Sequence, residues 1–288
     1  MPCFRRATSI ELDTRHLRLK PPRAGELPLL DRLSLSGNIA DLGTMLSRCP
    51  RLRVLRVTFR EVDPDSLQAA LASLETARGL GLVVSLLRIN TITTISNTYN
   101  VGMYDIGAAR YASLLGAMAR ISPQELVVTQ GYHNFYDVEL PCFRRTTAIE
   151  MCLCSVFTLP IAGEFAALER LSLGGCTMAD LATLLTRCPR LRVLKATTDN
   201  HNAHDITVYS TSLQELFLDA KRHTECRSID IVTPLLKKLV LEVEADTDLN
   251  LSISAPMVEE ILLERTYTQL PLVFDFDTWL LDRLRLMT

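Results

Sequence analysis

The chain carries long stretches of itself twice. Residues 27–57, LPLLDRLSLSGNIADLGTMLSRCPRLRVLRV, return at 165–196 as FAALERLSLGGCTMADLATLLTRCPRLRVLKA. The opening PCFRRATSIEL of 2–12 returns as PCFRRTTAIEM at 141–151, so the internal duplication covers 2–57 and 141–196. A chain built this way stacks like units side by side and does not close around one centre. Stacked units turn the functional question toward surface recognition and away from catalysis.

A shorter period lies inside the duplication. It consists of a leucine, two variable residues and an apolar-x-apolar triplet. The triplets start at Ile10, Leu33, Leu55, Leu80, Leu126, Ile149, Leu171, Leu194, Leu216, Leu239 and Ile261. They lie 22 to 25 residues apart, except for a gap of 46 before Leu126 that reads as two periods with a further strand near Tyr104. Leu30-x-x-Leu33-Ser34-Leu35, Leu168-x-x-Leu171-Ser172-Leu173 and Leu213-x-x-Leu216-Phe217-Leu218 match the core of a leucine-rich repeat. Alternation sends the two apolar residues of each triplet to one side, and stacking buries them while the strands join as a parallel sheet. The expected fold is a single curved α/β leucine-rich-repeat solenoid over residues 1–288, with its parallel sheet on the concave face.

The connectors should differ along the chain. Ile39, Leu42, Met45, Leu46 and Cys49 share one helical face, and Met178, Leu181, Leu184, Leu185 and Cys188 repeat it. Leu67, Leu71 and Leu74 mark another helix, and Tyr111, Leu114, Leu115, Met118 and Ile121 a fourth; Pro50 and Pro189 end their helices. Residues 228–234 and 249–256 instead alternate with period two and end in proline, which predicts short outer strands near the C-terminus. Residues 88–107 fit no template and read as a loop insertion.

Composition excludes several classes of function. Net charge is -2 over 288 residues, with 48% hydrophobic and 22% charged, so the chain is neither disordered nor drawn to nucleic acid. No apolar run is long enough for a membrane span, and no secretory signal opens the chain. Eight cysteines without an export signal read as reduced thiols in a cytoplasmic or nuclear setting.

Several strings together carry a family resemblance: RCPRLRVL at 48–55 and 187–194, SLQAALASLE at 66–75, SLQEL at 212–216, ECRSIDIVTPLLKKL at 225–239 and SISAPMVE at 252–259. The chain resembles the leucine-rich-repeat region of plant F-box proteins of the ribonuclease-inhibitor-like type. That resemblance implies repeats that hold a target for a cullin-based ubiquitin ligase, whose adaptor subunit docks on an N-terminal F-box. Met1-Pro2-Cys3-Phe4 matches the mid-repeat Pro141-Cys142-Phe143, and no F-box-like segment is visible. The adaptor is therefore an expected partner only if an F-box lies upstream; otherwise the chain is a non-ligase interaction or decoy module.

Candidate sites follow from what points outward. Between the buried residues of successive triplets stand Glu11, Ser34, Arg56, Gly81, Val127, Glu150, Ser172, Lys195, Phe217, Val240 and Leu262. Phe217, Val240 and Leu262 form an apolar strip. Glu215, Lys238 and Glu260 flank it on one side, and Asp219, Glu242 and Glu264 on the other. An apolar centre with an acidic rim fits a protein partner on the concave face, basic and with an apolar anchor. Arg56 and Lys195, within the arginine-rich strings at 48–56 and 187–195, are a weaker candidate for holding a small anion. Cys49 and Cys188 occupy one repeat slot and read as buried core thiols. Cys152-x-Cys154 lacks a second pair at zinc spacing, and His201 and His204 sit in an Asn- and Asp-rich turn, so neither metal nor cofactor is expected. With no phosphate loop, G-x-S-x-G or H-E-x-x-H, no catalytic residue is expected and the chain is not an enzyme.

Overall fold

The computed structural model describes residues 6–19, 26–39, 41–60, 64–91, 108–130, 136–160, 162–178, 181–197, 205–220, 228–245, 250–267, 273–276 and 283–287. The chain forms two compact units, Met1–His133 and Asn134–Thr288.

In the first unit, β1 (Ser9–Leu19), β2 (Arg32–Ile39), β3 (Val54–Arg60), β4 (Val83–Thr91) and β5 (Glu125–Gln130) pair in chain order, all parallel. Helices α1 (Leu42–Ser47), α2 (Pro64–Gly79) and α3 (Ala108–Ile121) connect them. On α2 and α3 the predicted helical face is the buried one: Leu67, Leu71 and Leu74, and Tyr111, Leu114, Leu115, Met118 and Ile121. At α1, Ile39, Leu42, Met45 and Cys49 are buried but Leu46 is only half-buried.

In the second unit, β6 (Tyr136–Glu139) pairs with β7 (Ala148–Thr158). From β7 the parallel ladder runs through β8 (Arg170–Met178), β9 (Val193–Thr197), β11 (Glu215–Ala220), β13 (Lys238–Ala245), β15 (Glu260–Tyr267) and β17 (Arg283–Met287). Helix α4 (Leu181–Arg187) follows β8. After β9 the connectors are strands: β10 (Asp205–Tyr209), β12 (Ser228–Val232), β14 (Asn250–Ser254) and β16 (Val273–Phe276) form a 4-stranded parallel sheet. Ile206, Val208, Ile229, Ile231, Leu251 and Ile253 are its buried residues, as period-two alternation predicts.

One backbone device recurs at the rungs. The carbonyl of the residue before a strand accepts two N–H groups from the next rung. Asp31 accepts from Arg53 and Val54 at 2.9 and 3.0 Å, and Gln214 accepts from Lys237 and Lys238 at 2.8 and 3.1 Å. A turn closes just before it, with Leu168 N–H on the Phe165 carbonyl and Leu236 N–H on that of Thr233, both at 3.1 Å. The leucine ahead of each triplet is thereby pinned inward, and Leu30, Leu168, Leu213 and Leu236 are at most 1% exposed. Burying each such side chain stabilises the fold by about 1.5–3 kcal/mol.

The duplicated segments share these bonds. Leu27 N–H meets the Arg48 carbonyl at 2.8 Å, and its counterpart Phe165 N–H meets that of Arg187 at 2.9 Å. The β1–β2 register shifts after Asp13, and the β7–β8 register shifts after Cys152, the matching residue.

Three sequence expectations need correction. The triplet at Leu80 is not a strand. Leu80 is 87% exposed and Gly81 has φ +97°. The Leu80, Gly81 and Leu82 N–H groups bond back to the Ala77, Arg78 and Ala77 carbonyls, which ends α2 as a glycine-capped helix. Gly81 therefore leaves the outward column, and β4 starts two residues later, at Val83. Arg88 and the residues on to Thr91 belong to the ladder, so the loop expected at 88–107 does not include them. The strand expected near Tyr104 lies outside the described residues, but β4 pairs directly with β5, so no rung stands between them. The long gap is one rung with a long connector. The further rung is β17, at Arg283–Met287.

Candidate functional site

Strand register builds the site. In the second unit Lys195 pairs with Phe217, Phe217 with Val240, Val240 with Leu262, and Leu262 with Arg285. Unshifted pairing puts these residues in one column across neighbouring rungs about 4.8 Å apart. Their neighbours Leu216, Leu218, Leu239, Leu241 and Ile261 are buried, whereas Phe217, Val240 and Leu262 are half-buried on the outer face.

Two further columns share that face. One runs Val193, Glu215, Lys238 and Glu260, with signs alternating after the valine. Lys238 Nζ lies 2.9 Å from Glu260 Oε2. This pair joins neighbouring rungs of the column. The other runs Thr197, Asp219, Glu242 and Glu264, with three carboxylates in succession.

The aromatic ring at the centre is not bare. Lys195 Nζ stands 4.7 Å from the Phe217 ring centroid, and Lys238 Nζ stands 5.9 Å from it, both within cation–π range. Sequence reading placed both lysines on this face but missed their contact with the ring. Beside the ring is a depression of about 220 Å³, lined in part by Ser172, Gly174, Lys195, Thr197, Phe217, Asp219 and Glu242.

The first unit has its own depression, of about 400 Å³, at Ser9, Glu11, Arg32, Ser34, Arg56, Ser85 and Glu125. Arg56 is exposed there. The two residues expected to hold an anion thus lie in separate units, and each depression carries carboxylates beside its base.

The cysteines behave as core. Cys49 Sγ donates to the Met45 carbonyl at 3.3 Å, and burial pushes the thiol up to about 11. Cys188 is pushed up to about 12, again by burial. Cys152 is exposed; the Cys154 side chain and His201 and His204 lie outside what is described. Among the described residues no group of three or more His, Cys, Asp or Glu could hold a metal ion, and no helix is long and apolar enough to cross a membrane.

The leucine-rich repeats of the FBD-associated F-box protein At5g56370 match residues 111–264, more than half of the chain. The chain belongs to this family. Repeats of the FBD-associated F-box type are a protein-binding, non-catalytic scaffold. The match runs from α3 into β15 and includes Phe217, Val240, Leu262 and the whole acidic column to Glu264. No curated protein matches the chain, and no solved structure does.

Proposed function

We propose that the chain is the target-binding repeat region of an F-box-type ubiquitin-ligase receptor, and that the column Phe217–Val240–Leu262 is its contact strip. The observation that carries the reading is the aligned register of those three outward apolar residues within the family-matched stretch. Apolar side chains at the centre of a face, with charged columns on both flanks, have the anatomy of a recognition surface. A few well-packed residues near the centre of an interface supply most of its binding energy.

Tagging the protein at its C-terminus in its own cells and identifying what co-purifies tests both parts. The adaptor and cullin subunits should co-purify with it. Replacing Phe217, Val240 and Leu262 together by serine should leave those subunits bound and release the target proteins. Retention of every partner by the triple variant would refute the contact strip. Targets without adaptor or cullin would make the chain a non-ligase interaction module.

A further inference from the structure

The depression of the first unit, of about 400 Å³, holds a pair of opposite charges that do not meet. Glu11 pairs with Ser34 and Ser34 with Arg56, so an acid, a hydroxyl and a base stand in one outward column across β1, β2 and β3. All three line the depression. Glu11 and Arg56 are exposed, and among the described residues neither has an ion pair or a side-chain hydrogen bond. They stand two rungs apart, about 9.6 Å at about 4.8 Å per rung. That exceeds the Debye length of about 8 Å at physiological ionic strength, so most of their mutual attraction is screened. Ser34 between them is too short to link them.

The other charged groups of the depression are engaged. Arg32 Nε lies 3.7 Å from Asp31 Oδ2, and Glu125 has an interaction of its own. The second unit repeats the column as Glu150, Ser172 and Lys195. Acid, hydroxyl and base are kept between the copies, although Asp13 has become Cys152 and Ser36 has become Gly174. In that copy the base is already held, 4.7 Å from the Phe217 ring centroid. The column of the first unit is the one with both charges open.

The spacing of the charges defines what fits. A polyanion laid along the column would run over Glu11, and a polycation would run over Arg56. A free amino acid is too short, because its ammonium and carboxylate share one carbon. Two side chains on one backbone are long enough. In polyproline II conformation residues three apart share a face and stand about 9.3 Å apart, at about 3.1 Å per residue. That length matches the two rungs.

We propose that this depression binds an extended segment of a protein partner that carries a lysine or arginine and, three residues away, an aspartate or glutamate. The base meets Glu11 and the acid meets Arg56. The Arg56 guanidinium offers a carboxylate two parallel N–H donors, so the acid is the more firmly fixed end. The proposal rests on the reading of the chain as a recognition scaffold and names a second contact, in the first unit, with its own partner chemistry.

The test titrates three fluorescent peptides against the full chain at low salt, by anisotropy, into the millimolar range. They are Lys-Pro-Pro-Glu, Lys-Pro-Pro-Lys and Glu-Pro-Pro-Glu, blocked at both ends so that only side chains carry charge. The prolines hold the spacing. Lys-Pro-Pro-Glu should bind at least about threefold more tightly than either like-charged peptide. Arg56→Glu leaves two acids and should turn the preference to Lys-Pro-Pro-Lys. Glu11→Lys leaves two bases and should turn it to Glu-Pro-Pro-Glu. Both positions are exposed, so unfolding temperatures of the variants should match the parent. Glu150→Lys, in the second unit, should leave the preference intact, and high salt should erase it. Equal binding of the three peptides, tightest binding of a like-charged peptide to the parent, a preference unmoved by Arg56→Glu and Glu11→Lys, or no binding of any peptide would each overturn the proposal. The serine triple variant of Phe217, Val240 and Leu262 leaves this depression untouched and should show the parent's preference, so the two readings fail separately.

Discussion

The two units begin alike and diverge after three rungs. Their outward residues match at first: Glu11, Ser34 and Arg56 in one, Glu150, Ser172 and Lys195 in the other. Then the connectors change. The first unit uses α2 and α3, helices of 16 and 14 residues, while the second uses outer strands of four or five. With helices, β3 and β4 fall out of step. Leu55 pairs with Val84 but Arg56 with Leu86, leaving Ser85 as a bulge whose hydroxyl donates to the Leu55 carbonyl at 3.2 Å. Its outward line continues as Arg56, Leu86 and Glu125, mixed in character. With strands, β9, β11, β13 and β15 pair without a shift, and Phe217, Val240 and Leu262 stand in file.

The contrast between pinned interior and free exterior breaks most sharply at neighbouring residues. Leu239→Ala, at a site 0% exposed, should destabilise the chain by about 2–5 kcal/mol, whereas Val240→Ala should cost no more than about 0.5 kcal/mol. Urea unfolding measures both, and equal losses would mean that the alternation is misplaced. The helical connectors of the first unit come next. Gly81→Ala forces a side chain into the left-handed region at the end of α2 and should cost about 1–2 kcal/mol.

At the start of α1, Asp41 accepts the Thr44 N–H at 2.9 Å, so Asp41→Ala should cost about 1 kcal/mol. That backbone hydrogen bond from Thr44 is the main cause that holds the Asp41 carboxyl below its usual value. Its contribution is therefore complete above the unfolded value, about 4, and disappears as pH falls through the lower folded one. The gap between parent and variant should close in acid; a gap that widens there would contradict the cap. The smallest expected effect is a gain. Ser122 ends α3 with φ 52°, and its buried hydroxyl meets no hydrogen-bond partner among the described residues. Ser122→Gly should stabilise the first unit by up to about 1 kcal/mol, read as a raised denaturation midpoint.

Much of this was legible because a repeat states its register several times over. Leu216, Leu239 and Ile261 share one spacing, so the column of Phe217, Val240 and Leu262 followed from counting. The helical faces of α2 and α3 and the outer strands β12 and β14 followed from periodicity. Counting failed where one local signal imitated another. Leu80-Gly81-Leu82 has the triplet's spelling, yet Arg78 and Gly81 mark the end of a helix. The bulge at Ser85 depends on how two strands meet and leaves no trace in one strand's sequence. Strand β6 was not foreseen, since Tyr136–Glu139 carries no triplet.

Hydroxyl-radical footprinting of the intact chain bears most directly on the open apolar strip. Phe217 should oxidise many times faster than Phe143, Phe157 and Phe165, all 0% exposed in the same unit, and Val240 and Leu262 faster than Leu239 and Ile261. Protection of Phe217 equal to that of the three buried phenylalanines would mean that no such strip faces outward, and the recognition surface would have to be sought elsewhere.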